Sequence, residues 1–201
     1  MYCILIAGLP ASGKTTAAQY LSRQLDLPVI SKDRIKEILY DTVGFTGRQE
    51  KVRLGIAAQE IQYDMARELL KRNLPFILEN NFEHSSRPGL AALLEESGCQ
   101  AITVLMTADY RVLYDRFVAR NASPERHRGH VVNDRYPETE PGRTVAPMSY
   151  GEFVSGFTAR GMDSFSVGGP RIVVDTTDFR TVDMEKIAEK IRDLTDTERR
   201  L

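Results

Sequence analysis

Gly8-Leu9-Pro10-Ala11-Ser12-Gly13-Lys14-Thr15 follows the apolar run Tyr2–Ala7 and opens a helical pattern over Lys14–Leu25. The octet fits GxxxxGK[ST], and the two flanks such a loop needs, a buried strand before it and a helix after it, are both present. Its glycines permit backbone conformations closed to other residues, so successive N–H groups can turn inward around a phosphate at a helix N-terminus. The spacing predicts a phosphate cradle made by Gly8, Ala11, Ser12, Gly13, Lys14, Thr15 and Thr16. In it Lys14 would reach the β and γ oxygens of a nucleotide, Thr15 would offer its hydroxyl to Mg²⁺, and Thr16 would meet the α-phosphate.

Outward from the loop, short runs rich in Ile, Val and Leu recur at Pro28–Ser31, Pro75–Glu79, Ala101–Met106 and Arg171–Asp175. Helical periodicity fills the intervals: Lys32–Asp41, Arg48–Arg72, Ser86–Ser97, Asp109–Asn121, Tyr150–Arg160 and Val182–Leu194. Strands alternating with helices predict an α/β fold with a parallel sheet. In the longest helix, Leu54, Ala57, Ala58, Ile61, Met65, Leu69 and Leu70 recur three and four apart and predict the face that covers the sheet. The segment 122–148 holds four of the nine prolines and has no periodicity, so it is expected to be a lid on a single domain spanning 1–201.

Composition narrows the partners. The 201 residues carry 27 Lys and Arg against 28 Asp and Glu, a balance that offers no overall attraction to a polyanion or an acidic membrane. The first apolar run is too short for a signal-peptide core or a membrane span. Cys3 and Cys99 form no CxxC pair and are expected to be buried free thiols, which fits a cytoplasmic protein.

Candidate functional residues gather at strand ends, where ligands of α/β sheets bind. Ser31-Lys32-Asp33 follows the second strand, placing Asp33 where a carboxylate can accept a proton from an acceptor hydroxyl. An acid in a first helical turn is also favoured by the helix macrodipole alone. The third strand ends in Glu79, positioned to hold Mg²⁺ or to orient an acceptor, and Asn80 and Asn81 add hydrogen-bonding groups for a hydroxylated small molecule. On Asp109–Asn121, Arg116 and Arg120 stand four apart without an acid at three or four residues, whereas Arg111 finds Asp115. Such arginines can await an anion, or simply extend from a surface helix. The Arg126-His127-Arg128-Gly129-His130 run lacks partners at metal-ligand spacing, and lid hydrogen bonding is its expected role.

The pair GLPASGKTT and SKDRIKE resembles the small P-loop kinases related to polynucleotide kinase and chloramphenicol phosphotransferase, a plan shared by gluconate kinases and zeta-type toxins. The resemblance implies a three-layer P-loop fold with five parallel strands in the order 2-3-1-4-5. It also implies ATP with Mg²⁺ as cofactors, and transfer of the γ-phosphoryl group to an acceptor hydroxyl. It carries the role of general base onto Asp33 and a closing, charge-neutralising role onto Arg116 and Arg120. The turn at Asp175-Thr176 would border the adenine, although capping explains these residues equally well. Where the polynucleotide kinases place a phosphate-binding arginine, this chain has Lys36, which lacks a planar fork. A small-molecule acceptor is therefore expected over a 5′-hydroxyl end of nucleic acid. An ATP-dependent switch or ATPase acting on a protein partner would use the same loop and is the alternative.

Overall fold

The computed structural model describes residues 1–140 and 142–198. Five strands form one parallel sheet: β1 (Tyr2–Gly8), β2 (Val29–Ser31), β3 (Phe76–Glu79), β4 (Gln100–Thr107) and β5 (Arg171–Asp175), in the order β2-β3-β1-β4-β5. The helices are α1 (Lys14–Leu25), α2 (Lys32–Thr42), α3 (Arg48–Lys71), α4 (Arg87–Ser97), α5 (Tyr110–Ala122), the single turn α6 (Arg128–Val131), α7 (Tyr150–Thr158) and α8 (Met184–Glu198).

The central strand explains the layers. Successive side chains of a strand point to opposite faces, and both faces of a parallel sheet are covered. Cys3, Leu5 and Ala7 accordingly enter one core with residues of α3 and α4, while Ile4 and Ile6 enter a second with residues of α1 and α8. Cys3 and Cys99 are both buried and free. Their contact, together with burial, raises the Cys3 thiol well above its usual pKa. At the end of β1, Gly8 adopts φ +127°, and a Cβ there would lie 2.1 Å from the Met106 carbonyl oxygen. Only glycine lets the chain leave the strand so close to β4 and enter the loop.

One sequence-based expectation changes. On α3 the buried residues are Lys51, Ala58, Gln62, Tyr63, Ala66 and Leu70, while Ile61 and Met65 are 39% and 46% exposed. The face is rotated because polar tasks outrank hydrophobicity. Gln62 donates to the carbonyls of Ile30 (2.8 Å) and Glu79 (3.0 Å), tying the ends of β2 and β3, and the Tyr63 hydroxyl donates to Ser86 O (3.0 Å). The expected lid segment, apart from position 141, which lies outside the described residues, is anchored at several points. Phe45 and Tyr136 exchange backbone hydrogen bonds of 2.8 Å, and α6 packs against α2. No helix among the described residues is long and apolar enough to cross a membrane.

Candidate active site

The carboxyl ends of the strands open into a cleft of about 1220 Å³. On one side lies the loop between β1 and α1. Gly13, the residue before α1, has φ +88° and supplies no side-chain cap, so the first N–H groups of α1 are free for a ligand. Ala11, Gly13, Lys14, Thr15 and Thr16 line the cleft. Gly8 and Ser12 do not; Gly8 packs on Met106, and Ser12 is fully buried with its hydroxyl unpartnered among the described residues.

Lys14 is 8% exposed and donates to Leu9 O at 2.7 Å. Burial brings it down to about 8, against the attraction of Glu79 and Asp33 and with the help of Arg120 and Arg126. Its ammonium is thus held ready with a weak local partner that a phosphate can replace. Thr15 and Glu79 meet directly: the Thr15 hydroxyl donates to Glu79 Oε1 at 2.9 Å, and the Ser31 hydroxyl to Oε2 at 2.5 Å. Ser31 also caps α2 by accepting from Arg34 N. A hydroxyl and a buried carboxylate side by side at the phosphate loop are hard oxygen donors that fit Mg²⁺, whose remaining positions phosphates and water fill.

Asp33 lies across the cleft, its side chain 47% exposed and 3.6 Å from Lys36 Nζ. Water reaches the carboxylate, but protein surrounds it. Burial opposes ionisation; Lys36, His130, Arg126 and Lys14 together outweigh it and hold the carboxyl well below the usual carboxylate range. Lys36, Glu79, Asn80 and Asn81 line the same cleft.

The two arginines of α5 part company. Arg116 donates to the carbonyls of Thr176 (2.7 Å) and Thr177 (3.0 Å) and stacks 4.0 Å over the Phe179 ring. Its lack of an acidic neighbour in sequence did not leave it unpaired, because the turn after β5 supplies carbonyls. The Arg120 side chain has no hydrogen bond or ion pair among the described residues; its Nε is buried and unpartnered, and its guanidinium lies 5.9 Å over the Phe117 ring. Burial and Arg126 lower its pKa to about 10, against the attraction of Asp33 and Glu79, so it stays charged at neutral pH.

Asp175 and Thr176 do not reach the cleft. Asp175 accepts from the N–H and hydroxyl of Thr177, closing its own turn. Thr176 is fully buried and donates to Ser12 O (3.1 Å) and Thr107 O (2.9 Å), bracing the phosphate loop from behind. The cleft residue from this region is Phe179, whose ring lies where a Cβ on Gly13 would come within 2.7 Å. An aromatic residue four positions after a strand end carries no motif, so the sequence did not single it out.

The arginine-histidine run docks α6. His127 Nδ1 accepts from Gly129 N, which leaves Nε2 as the donor to Asp41 Oδ1 at 3.0 Å. His130 Nε2 bonds Glu37 Oε1 at 3.1 Å, and Arg128 makes two 2.7 Å bonds to Glu138. A Cβ on Gly129 would meet the Tyr40 ring at 2.4 Å. Gly129→Ala is expected to destabilise this docking by about 1–3 kcal/mol, as overpacking does, read as faster amide hydrogen exchange over 126–136 with α1 and β1 unchanged.

The model of the AAA domain family matches residues 3–135, more than half of the chain. The chain belongs to that family. A shikimate kinase from Paracidovorax citrulli is 31% identical over 134 residues, a match that covers 66% of this chain and only 62% of that relative. A solved structure of a kinase-like protein from Chloroflexus aurantiacus superposes with a TM-score of 0.79 at 30% identity, over 96% of this chain and 97% of that one. A sugar kinase from Janibacter sp. HTCC2649 shares the fold with a TM-score of 0.56 at 13% identity, covering 98% and 95%. Fold, phosphate loop and family agree on a small P-loop kinase-like protein.

Proposed function

We propose that the protein transfers the γ-phosphoryl group of Mg-ATP to a hydroxyl of a small-molecule acceptor. The observation that carries this reading is that Asp33 faces Lys14, Arg120 and Arg126 across one cleft, so that base, phosphate grip and uncommitted cations share a cavity. Lys14 and the first N–H groups of α1 hold the phosphates. Thr15 and Glu79 would hold Mg²⁺, which supplies neutralising charge to the phosphate oxygens. Phe179, 48% exposed under Arg116, offers a stacking face near the loop for the nucleotide base.

Phosphoryl transfer passes through a loose transition state, so the acceptor loses its proton late. Asp33 first orients the hydroxyl by accepting its hydrogen bond, then takes the proton as the new O–P bond forms and ADP leaves. A strongly ionised carboxylate is a poor base in isolation. Bound phosphate oxygens compete for Lys14, however, and lessen the depression of Asp33. Arg120 neutralises charge spreading over the transferred group, and segment 126–133 acts as the lid. The use of ATP and the two free thiols support a cytoplasmic location for this activity.

The test is ADP release with mass analysis of products across alcohols, sugars, nucleosides and 5′-hydroxyl oligonucleotides. A phosphorylated small product supports the assignment; ATP turnover that yields only inorganic phosphate, alongside ATP-dependent capture of a protein, supports the switch instead. Lys14 adds a pH signature. Phosphate binding raises its pKa from about 8, so ATP affinity should hold below that pH and fall about tenfold per unit above it, until the bound-state pKa is reached. Calorimetric titration between pH 7 and 10 reads the slope, and a flat profile contradicts it.

A further inference from the structure

The cleft contains a group of cations that the phosphate loop does not use. Lys51 of α3 is 7% exposed, and its ammonium donates to the carbonyls of His130 (3.0 Å) and Val132 (2.5 Å) and to Asn133 Oδ1 (3.0 Å). Arg48, at the start of α3, donates to the same Asn133 oxygen at 2.8 Å. Two cations therefore converge on one neutral amide oxygen. Every charged neighbour acting on Lys51 is itself a cation: Lys36, Arg48 and Arg126; burial and these cations lower its pKa to about 7. The Arg126 Nε is buried with no partner among the described residues, and the Lys36 ammonium meets a single carboxylate among them, Asp33 at 3.6 Å, while it lies 5.7 Å over the Tyr40 ring. All four side chains line the cleft. Mutual repulsion, with lost hydration at Lys51 and at the Arg126 Nε, makes such a group unfavourable unless a ligand brings the missing negative charge.

We infer that Lys36, Arg48 and Arg126 form an anion subsite beside Asp33, and that the acceptor is a small hydroxyl compound bearing a phosphate or carboxylate group. The inference rests on the proposed kinase activity. The anion itself does not react: the phosphoryl group goes to the hydroxyl at Asp33, whose proton Asp33 takes, and the acceptor's own charged group stays bound to the cations. Lys51, with all three N–H groups committed to the lid, is a positioning residue that contributes its field and holds Asn133. A small compound suits the location, because the surplus cations are inside the cleft, whereas the whole chain, balanced at 27 basic and 28 acidic residues, offers no overall attraction to a polyanion.

The experiment compares matched acceptors: sugars and polyols, each beside its sugar acid and its phosphate monoester, with 5′-hydroxyl oligonucleotides as a further arm. The anionic member of a pair should be favoured in kcat/KM by about ten- to hundredfold, the range of a charged hydrogen bond. Which anion wins separates phosphate from carboxylate. Arg48 is exposed, so Arg48→Gln should fold, and it should lower the anionic-to-neutral ratio about tenfold through KM of the anionic member. A folding defect would depress both members alike and leave the ratio intact. Equal transfer to neutral and anionic members, or an unchanged ratio in Arg48→Gln, overturns the subsite while leaving the kinase assignment standing. Preference for oligonucleotides overturns the small acceptor. Transfer to no acceptor, with ATP hydrolysed, removes both.

Discussion

Asp33→Asn is expected to slow phosphoryl transfer by about 10²–10⁴-fold, the usual contribution of a positioned base, without weakening ATP. Asparagine fills the same space and can still contact the acceptor hydroxyl, but it cannot take the proton. Removing a negative charge that acts on Lys14 leaves the phosphates less repelled, so ATP affinity should be unchanged or tighter. Asp33 also sits in the first turn of α2, where a carboxylate stabilises the helix by about 0.3–1 kcal/mol. A loss confined to that size in chemical denaturation, beside a thousandfold loss in single-turnover rate, separates chemistry from folding. Transfer at an undiminished rate would remove Asp33 as the base.

Arg120→Ala should reduce the rate by about 10³-fold or more, as removal of a charge-stabilising arginine does in other phosphoryl-transfer sites, while leaving the unliganded protein no less stable. The guanidinium is partly buried and repelled by Arg126, with Asp33 and Glu79 attracting it but making no ion pair with it, and its Nε has no partner among the described residues. Such a group contributes little to the resting fold, and its removal relieves an unsatisfied donor. Arg116→Ala is the contrasting variant. Because Arg116 holds the turn after β5 and covers Phe179, its loss should act mainly through the KM for ATP. Thermal denaturation and single-turnover rates for the two variants check the division, and equal effects on kcat would contradict it.

Much of this arrangement was legible in the sequence because it follows from local pattern. The strand, GxxxxGKT and helix are contiguous, and α1 occupies the predicted residues Lys14–Leu25. Asp33, Lys36, Glu79, Asn80 and Asn81 reach the cleft because parallel strands deliver their carboxyl ends to one edge. What escaped notice depends on contacts across long separations. Lys51 reads as a solvent-facing charge until α6, some 80 residues later, folds over it. Gln62 breaks the apolar periodicity of α3 because the ends of β2 and β3 need a shared donor. Arg116 seemed free since its partners are backbone carbonyls, which every residue possesses and no pattern marks. Asp175 and Thr176 are polar residues at a strand end like Asp33, yet their side chains close the local turn and brace the phosphate loop.

The most direct measurement follows the label from γ-³²P-ATP in a single turnover with a reactive acceptor. The wild-type protein should place the label on the acceptor hydroxyl, and Asp33→Asn should bind ATP yet leave the label on the nucleotide. Label recovered only as inorganic phosphate, at the same rate in both proteins, would contradict the assignment of this cleft to phosphoryl transfer onto a small acceptor.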